Sequence, residues 1–287
     1  MKTKIIILTP VYNDWKNLTR LLAKINNIFK FELKKKFDLI IVNDCSTEKF
    51  NYKISKFKYI NVSKIISLKK NVGSQRALAI GIKYINKKYK KNYKTIIIDS
   101  DGQDNPIGIK KLIKKSRENS VVVDRGQRKE PFWFRFFYMI YTILLKLFTA
   151  KNLKFGNFCL LNSEQLKKIN DKSDLWNALP PTILNNVKKI IHITIDREKR
   201  FTGESKMNFI GLLFHAFRVF SVFRKRIFIS SLIYVSSTFI IFYQNEYKFI
   251  FFIVFVALSL FNLLILIVTI FNKINYHHFI TRKNKYY

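Results

Sequence analysis

The sequence predicts an α/β protein with a mainly parallel, doubly wound sheet, followed by interfacial helices and a two-helix transmembrane hairpin. Three observations predict it. Short apolar segments of strand length alternate with amphipathic helical ones through roughly the first 125 residues. Two long apolar runs without charge lie towards the carboxyl end. Basic residues flank those runs and are scarce between them.

In chain order, Lys4–Leu8 reads as the first strand and the amphipathic stretch from Asp14 to about Phe29 as the first helix. Phe37–Val42 and Lys58–Ser67 supply the second and third strands. Val72–Asn86 is helical, with Ala77, Ile80, Gly81, Tyr84 and Ile85 on one face. Thr95–Ile98 is a fourth strand, Pro106–Arg117 a helix opened by proline, and Ser120–Val123 a fifth strand. Such alternation places ligands at the carboxyl ends of the strands. Phe132–Leu147 is rich in Phe and Tyr yet carries Arg135 and Lys146. It reads equally as a membrane-interface helix or as an ordinary core helix with two snorkelling bases. Asn208–Arg226 has the same character, and its place before an apolar run favours the membrane surface.

Ile227–Tyr243, about 17 residues, and Phe249–Phe271, about 23, both reach spanning length at about 1.5 Å rise per residue. The link Gln244–Lys248 allows only a tight hairpin. Arg224, Lys225 and Arg226 precede the first span, and Lys273, Arg282, Lys283 and Lys285 follow the second. This asymmetry puts both chain ends in the cytoplasm, as a two-span protein of the inner membrane. No secretory signal is read at the start, since Ile5–Leu8 is too short for one. The expected organisation is a catalytic domain over 1–207, an amphipathic segment over 208–226, a hairpin over 227–272 and a basic tail over 273–287.

Lys+Arg number 53 and Asp+Glu 18, a net charge of +35. That excess calls for an anionic partner such as membrane lipid or phosphorylated substrate, although abundant Lys, Ile, Asn and Phe also follow from AT-rich coding. No nucleic-acid recognition module is present, so nucleic acid is not expected as a partner. Cys45 and Cys159 have neither metal-site nor disulfide-framework spacing.

Few acids remain, and their grouping is informative. In Thr95-Ile-Ile-Ile-Asp-Ser-Asp-Gly-Gln-Asp104 an apolar strand runs out into Asp99 and Asp101, with Gln103 at the same parity. Oxygen ligands of this kind suit Mg²⁺ or Mn²⁺, although Asp-x-Asp at a strand end is also ordinary turn chemistry. Asn43-Asp-Cys-Ser46 could contact a ribose or base through Asp44, or cap a helix. In Thr9-Pro-Val-Tyr-Asn-Asp14, Tyr12 could stack a base, and Asn13 or Asp14 could cap the next helix. Arg76, Arg125, Arg128, Arg135, Arg200 and Lys206 are candidate phosphate groups within a background of surface charge.

Together these segments resemble the family-2 inverting glycosyltransferases of GT-A fold, a Rossmann-like architecture. The likeness is nearest to the dolichol-phosphate mannose synthase and bacterial polyisoprenyl-phosphate glycosyltransferase group. Thr9-Pro-Val-Tyr-Asn13 is similar to the group's Pro-x-Tyr-Asn, and Asn43-Asp-Cys-Ser46 to its Asp-Asp-x-Ser with Asn in place of the first Asp. Asn71-Val-Gly-Ser-Gln-Arg-Ala-Leu-Ala-Ile-Gly81 and Asp99-Ser-Asp-Gly-Gln-Asp-Asn-Pro106 match two further motifs. Gly126-Gln-Arg128 resembles Gly-x-Arg, and Arg200-Phe-Thr-Gly-Glu-Ser-Lys206 resembles Arg-x-x-Gly-x-Ser-Lys, where Met207 replaces a more usual aromatic.

The resemblance implies a divalent metal on Asp99, Asp101 and Gln103, with Asp99, Asp101 and Arg128 as the catalytic set. It implies nucleotide contacts from Pro10, Tyr12 and Asp44, and phosphate contacts from Arg128, Arg200, Ser205 and Lys206. The implied reaction moves a hexose from a nucleotide-sugar to a polyisoprenyl phosphate at a cytoplasmic membrane face, and a homo-oligomer is permitted. No Glu-Asp pair follows the metal motif, and Asp171 and Asp174 are the nearby acids. A phosphate monoester, whose second pKa lies near ~6, needs no such base. The alternatives are transfer to a hydroxyl-bearing lipid with Asp174 as base, or a non-catalytic basic protein of the membrane surface.

Overall fold

A computed structural model describes residues 3–51, 53–125, 132–202, 209–243 and 246–281. By internal contacts the chain forms two units: Met1–Arg128 with Lys154–Lys206 and Phe279–Tyr287, and Lys129–Leu153 with Met207–His278.

The first unit is built on a seven-stranded sheet. Its strands are β1 (Lys4–Val11), β2 (Phe37–Asn43), β3 (Ile60–Ser67), β4 (Tyr93–Ile97), β5 (Ser120–Arg125), β6 (Phe155–Asn162) and β7 (Ile190–Ile195). Their order is β3-β2-β1-β4-β6-β5-β7. The β1–β2, β1–β4, β2–β3 and β5–β7 pairs are parallel, whereas β6 runs antiparallel to both β4 and β5. The sheet is therefore mixed and mostly parallel. Strands β6 and β7 lie beyond the five that the sequence pattern marks. The antiparallel direction of β6 has a functional consequence: its second and third residues, Gly156 and Asn157, stand at the edge where the parallel strands end.

Residues Ile5–Val11 of β1 and Phe37–Val42 of β2 are fully buried, as expected for strands covered on both faces. Helix α1 (Trp15–Asn27) turns Trp15, Leu18, Leu21, Leu22 and Ile25 inward and runs on into a π-helical turn over Ile28–Leu33. Helix α2 (Ser74–Lys88) starts after Gly73, whose φ of +86° gives the turn into the helix. Ala77 and Gly81 follow one turn apart on the face towards the sheet. A Cβ at Gly81 would lie 2.4 Å from Leu8 Cδ1, so the spacing in this motif sets how closely helix and strand approach. Helices α3 (Gly108–Lys115), α5 (Ser163–Asn170) and α6 (Leu179–Asn186) complete the unit. Asn162 and Gln165 form a reciprocal capping box at the start of α5.

Among the described residues the second unit holds four helices: α4 (Phe132–Thr149), α7 (Phe209–Val222), α8 (Arg224–Phe242) and α9 (Lys248–Thr281). Three α8 side chains satisfy carbonyls at the end of α4 that have no partner within that helix. Arg226 donates to Thr149 O at 3.3 Å, Ser230 to Phe148 O at 2.9 Å and Tyr234 to Leu147 O at 2.8 Å. Phe148 packs on Tyr234 and Phe261, and Asn262 donates to Ser231 Oγ. The outer faces stay apolar and open, with Phe132 82%, Ile143 55%, Ile240 78% and Phe271 63% exposed. Helix α4 is therefore no ordinary core helix. Arg224–Phe242 and Lys248–Asn275 are long and apolar enough to cross a membrane, with only 11% and 6% of their apolar windows buried. Apolar surface on this scale is unfavourable in water and suits hydrocarbon or a partner surface.

Candidate functional site

The carboxyl ends of β1, β2 and β4 carry the acidic motifs, and the segment after β7 folds back over them. Asp99 follows β4. Asn157 Nδ2 donates to its two carboxylate oxygens at 3.1 and 3.3 Å, and its backbone N–H faces Asp104 Oδ2 at 3.4 Å. Burial, then the charges of Asp104 and Asp101, push the Asp99 carboxyl up to about 7, against the Asn157 hydrogen bond and the charge of Arg197. Asp101 Oδ1 accepts from Gln103 N at 3.0 Å, closing the turn. Gly102 has φ +80°, and a Cβ there would lie 2.3 Å from the Phe201 ring. The glycine is thus required twice, by backbone and by space.

Residues 197–202 form a strap across this turn. Glu198 N donates to Gln103 O at 2.9 Å, and Phe201 N to Asp101 O at 3.3 Å. Arg197 Nη2 donates to Gln103 Oε1 at 2.8 Å. Arg200 is the hub: its Nη2 lies 2.5 Å from Asp14 Oδ2 and its Nη1 3.5 Å from Asp101 Oδ2. Thr202 Oγ1 donates to Asn17 Oδ1 at 2.7 Å, while Asn17 Nδ2 donates to Thr202 O at 2.9 Å. Lys24 pairs with Glu198 and lies 4.7 Å from the Phe201 ring centre.

The two strand-end loops are joined to each other. Asn13, at φ +47°, accepts from Thr47 N and Glu48 N through Oδ1 and donates to Thr47 Oγ1. Asp14 makes no side-chain cap for α1, serving Arg200 and Asn17 instead. Asp44, 3% exposed, accepts from Val72 N at 2.7 Å and Gly73 N at 2.8 Å. It therefore fixes the turn into α2 and caps no helix that follows it. Burial raises its carboxyl, opposed by those two N–H groups and by Arg76. Asn43 Oδ1 accepts from Ser46 N at 2.9 Å, a contact within the turn. Pro10 is buried at the end of β1, and Tyr12 is 38% exposed beside it.

Of the sequence-predicted residues, Asp99, Asp101, Gln103 and Arg200 come together, with Pro10, Tyr12 and Asp44 on the neighbouring strand ends. Arg128, Ser205 and Lys206 lie outside the described residues, as does Met207. Arg76 lies 5.3 Å from the Trp176 ring centre. Asp174 sits in the 3₁₀ turn Ser173–Trp176. The sequence reading passes over Asp14 as a partner of Arg200, and over Arg197, Gln75 and Asn157. A shallow cleft reaches the site from the Asp99 side, lined in part by Asp99, Asp104, Asp124, Asn157, Asp196 and Arg197. No group of three or more His, Cys, Asp or Glu residues disposed to hold a metal is found among the described residues. The donor chemistry nevertheless suits a hard divalent ion. Mg²⁺-type sites use one or two carboxylates plus substrate phosphates, and the repulsion from Asp104 and Asp101, which adds to burial in raising Asp99, is what a cation relieves.

The family model Glycosyl transferase family 2 matches residues 6–175. An uncharacterized glycosyltransferase of Synechocystis sp. is 28% identical over 215 residues, 73% of this chain and 66% of that protein. An uncharacterized protein of Methanocaldococcus jannaschii is 32% identical over 127 residues, 43% of this chain and 52% of that protein. The chain thus covers less than two thirds of the length of either curated relative. Among solved structures, glucosyl-3-phosphoglycerate synthase from Mycobacterium tuberculosis, in complex with Mn²⁺, uridine diphosphate and glucosyl-3-phosphoglycerate, superposes with a TM-score of 0.52 at 13% identity. That match covers 78% of this chain and 80% of the other. Mannosyl-3-phosphoglycerate synthase from Rubrobacter xylanophilus superposes with a TM-score of 0.52 at 11% identity, covering 78% and 74%. At these identities the likeness is one of fold.

Proposed function

We propose, since this chain belongs to glycosyl transferase family 2, that it transfers a hexose from a nucleotide-sugar to a polyisoprenyl phosphate at the cytoplasmic face of a membrane, with inversion. The observation that carries the lipid-phosphate reading is the Arg200 strap. It lays a guanidinium on the Asp14 and Asp101 carboxylates, and seven residues after Thr202 the chain enters α7, followed by helices whose apolar faces are largely exposed.

In this reading Pro10 and Tyr12 receive the nucleotide, and Asp44 shapes the adjoining turn while presenting its remaining acceptor capacity. Asp99, Asp101 and Gln103 would hold a Mg²⁺ or Mn²⁺ ion, which when bound supplies countercharge to the departing diphosphate. Gln103 shares its side-chain oxygen with Arg197, so the two aspartates carry most of that task. Arg128, Arg200, Ser205 and Lys206 draw the acceptor phosphate into line. The phosphate is already largely dianionic at neutral pH, so the protein's contribution is orientation and charge, and no side chain needs to remove a proton.

The test is transfer of radiolabel by the purified full chain from a panel of nucleotide-sugars to polyprenyl phosphate, with diacylglycerol as the competing acceptor. Product on the phosphate is expected. Product on diacylglycerol alone would favour the hydroxyl-lipid reading, and none from any donor the non-catalytic one. The hairpin reading adds an expected topology, with residues 244–248 outside the cytoplasm and Tyr287 inside. Cysteine labelling in intact cells checks it, and equal access at the two positions would rule the hairpin out.

A further inference from the structure

Behind Asp99 the fold carries a line of buried amides whose direction is set at one end. Leu179, the first residue of α6, has a backbone N–H with no partner inside its own helix. That N–H donates to Gln75 Oε1 at 2.8 Å. An N–H can only donate, so the opposite end of the Gln75 amide, Nε2, faces Asn157 and donates to its Oδ1 at 3.0 Å. Asn157 is thereby left with Nδ2 for Asp99, which it meets at 3.1 and 3.3 Å. Gln75 and Asn157 are 9% and 8% exposed, so bulk water offers little to turn either amide round. Reversing either one would set oxygen against oxygen, or N–H against N–H.

We infer that Gln75 is a positioning residue for the reaction: working through Asn157, it keeps a hydrogen-bond donor on Asp99 and holds that carboxylate in the orientation that serves a divalent cation. The inference rests on the metal reading given above. It also explains why β6 matters to a site otherwise built from the ends of β1, β2 and β4 and the strap after β7. The antiparallel strand brings Asn157 to the functional edge, and α2 supplies the glutamine that orients it.

The discriminating variants are Gln75→Glu and Gln75→Met. Glutamate keeps the acceptor for Leu179 but presents an oxygen to Asn157, which must then turn its own oxygen towards Asp99. Methionine removes both polar ends and leaves Asn157 free to keep donating. The readout is Mn²⁺ binding to the full chain in detergent, followed through the electron paramagnetic resonance signal of free Mn²⁺, with melting temperatures recorded alongside. Gln75→Glu is expected to weaken binding about ten- to a hundredfold, the usual effect of disturbing such an outer partner, and Gln75→Met by much less. Equal weakening by both, or unchanged affinity in Gln75→Glu, would overturn the inference. Should Gln75→Glu not fold, Asn157→Leu takes its place: it must weaken Mn²⁺ binding more than Gln75→Met does, and the reverse order overturns the proposal. Wild-type protein that takes up no Mn²⁺ would remove the metal reading and the relay together. Wild-type binding with all variants alike would remove the relay alone.

Discussion

Asp101→Ala is expected to lower the transfer rate by about a hundred- to a thousandfold or more, the scale seen when a preorganised electrostatic contact is lost at a developing charge. Asp101 has three tasks in the structure. Its Oδ1 closes the turn through Gln103 N, its Oδ2 faces Arg200, and its backbone oxygen accepts from Phe201 N. Alanine removes the first two at once. Asp101→Asn is the sharper variant, because its amide oxygen can still accept from Gln103 N while the negative charge is gone. Both should inactivate alike if the charge is what matters. Gln103→Ala should be milder, since water can replace a neutral ligand. Near-normal turnover of Asp101→Asn in saturating Mn²⁺ would show that the ion is held elsewhere.

Arg200→Ala, assayed in detergent with a short, water-dispersible polyprenyl phosphate, should raise the acceptor KM with much less change in donor affinity. Loss of one charged hydrogen-bonding partner costs roughly 1.5–3 kcal/mol, which is about ten- to over a hundredfold in acceptor efficiency. The competing account is that the strap only holds the protein on anionic lipid, worth about 1 kcal/mol per base near the surface. Detergent removes that contribution, and wild-type kinetics there would support the competing account. A structural role is separated by Asp14→Asn. That variant takes away the carboxylate on which Arg200 Nη2 rests but leaves the guanidinium, so it should affect melting temperature more than acceptor KM. Donor affinity falling in Arg200→Ala while acceptor KM holds would reassign the strap to the nucleotide's diphosphate.

The part of the fold most legible in the sequence is the part whose strands are separated by helices. The first five strands stand between amphipathic segments, and β1, β2 and β4 end in the acidic motifs that come together at the site. Strand β6 is harder to read. Phe155-Gly-Asn-Phe-Cys-Leu-Leu-Asn162 is almost wholly buried, so it lacks alternation, and nothing local tells its direction. Strand β7 does alternate, with Ile191, Ile193 and Ile195 against His192 and Thr194, a signal of an edge strand that was available. At the site, the pairings of Arg200 with Asp14 and of Asn157 with Asp99 link residues 186 and 58 positions apart. No spacing rule encodes such pairs, because they arise from the sheet order and from the strap folding back. The apolar hairpin segments are plain in the sequence because length and composition alone define them.

The second unit is interrupted in sequence: residues 129–153 enter it from between β5 and β6, long before the final helices. For anyone cutting the gene, this means that stopping after the strap would leave α4 on the shortened chain, with Phe132, Phe136, Ile143 and Leu147 still exposed. Two cuts are needed. The strands themselves show how to make the first, since β5 and β6 are antiparallel neighbours with Asp124 opposite Phe155. A hairpin turn of a few residues, such as one built on Asn-Gly, would close that gap in place of the whole excursion. The resulting minimal chain would give up Arg128 and keep Asp14, Asp44, Asp99, Asp101, Asn157 and Arg200. It would thereby separate what the sheet edge binds by itself from what the excised helices and their approach contribute.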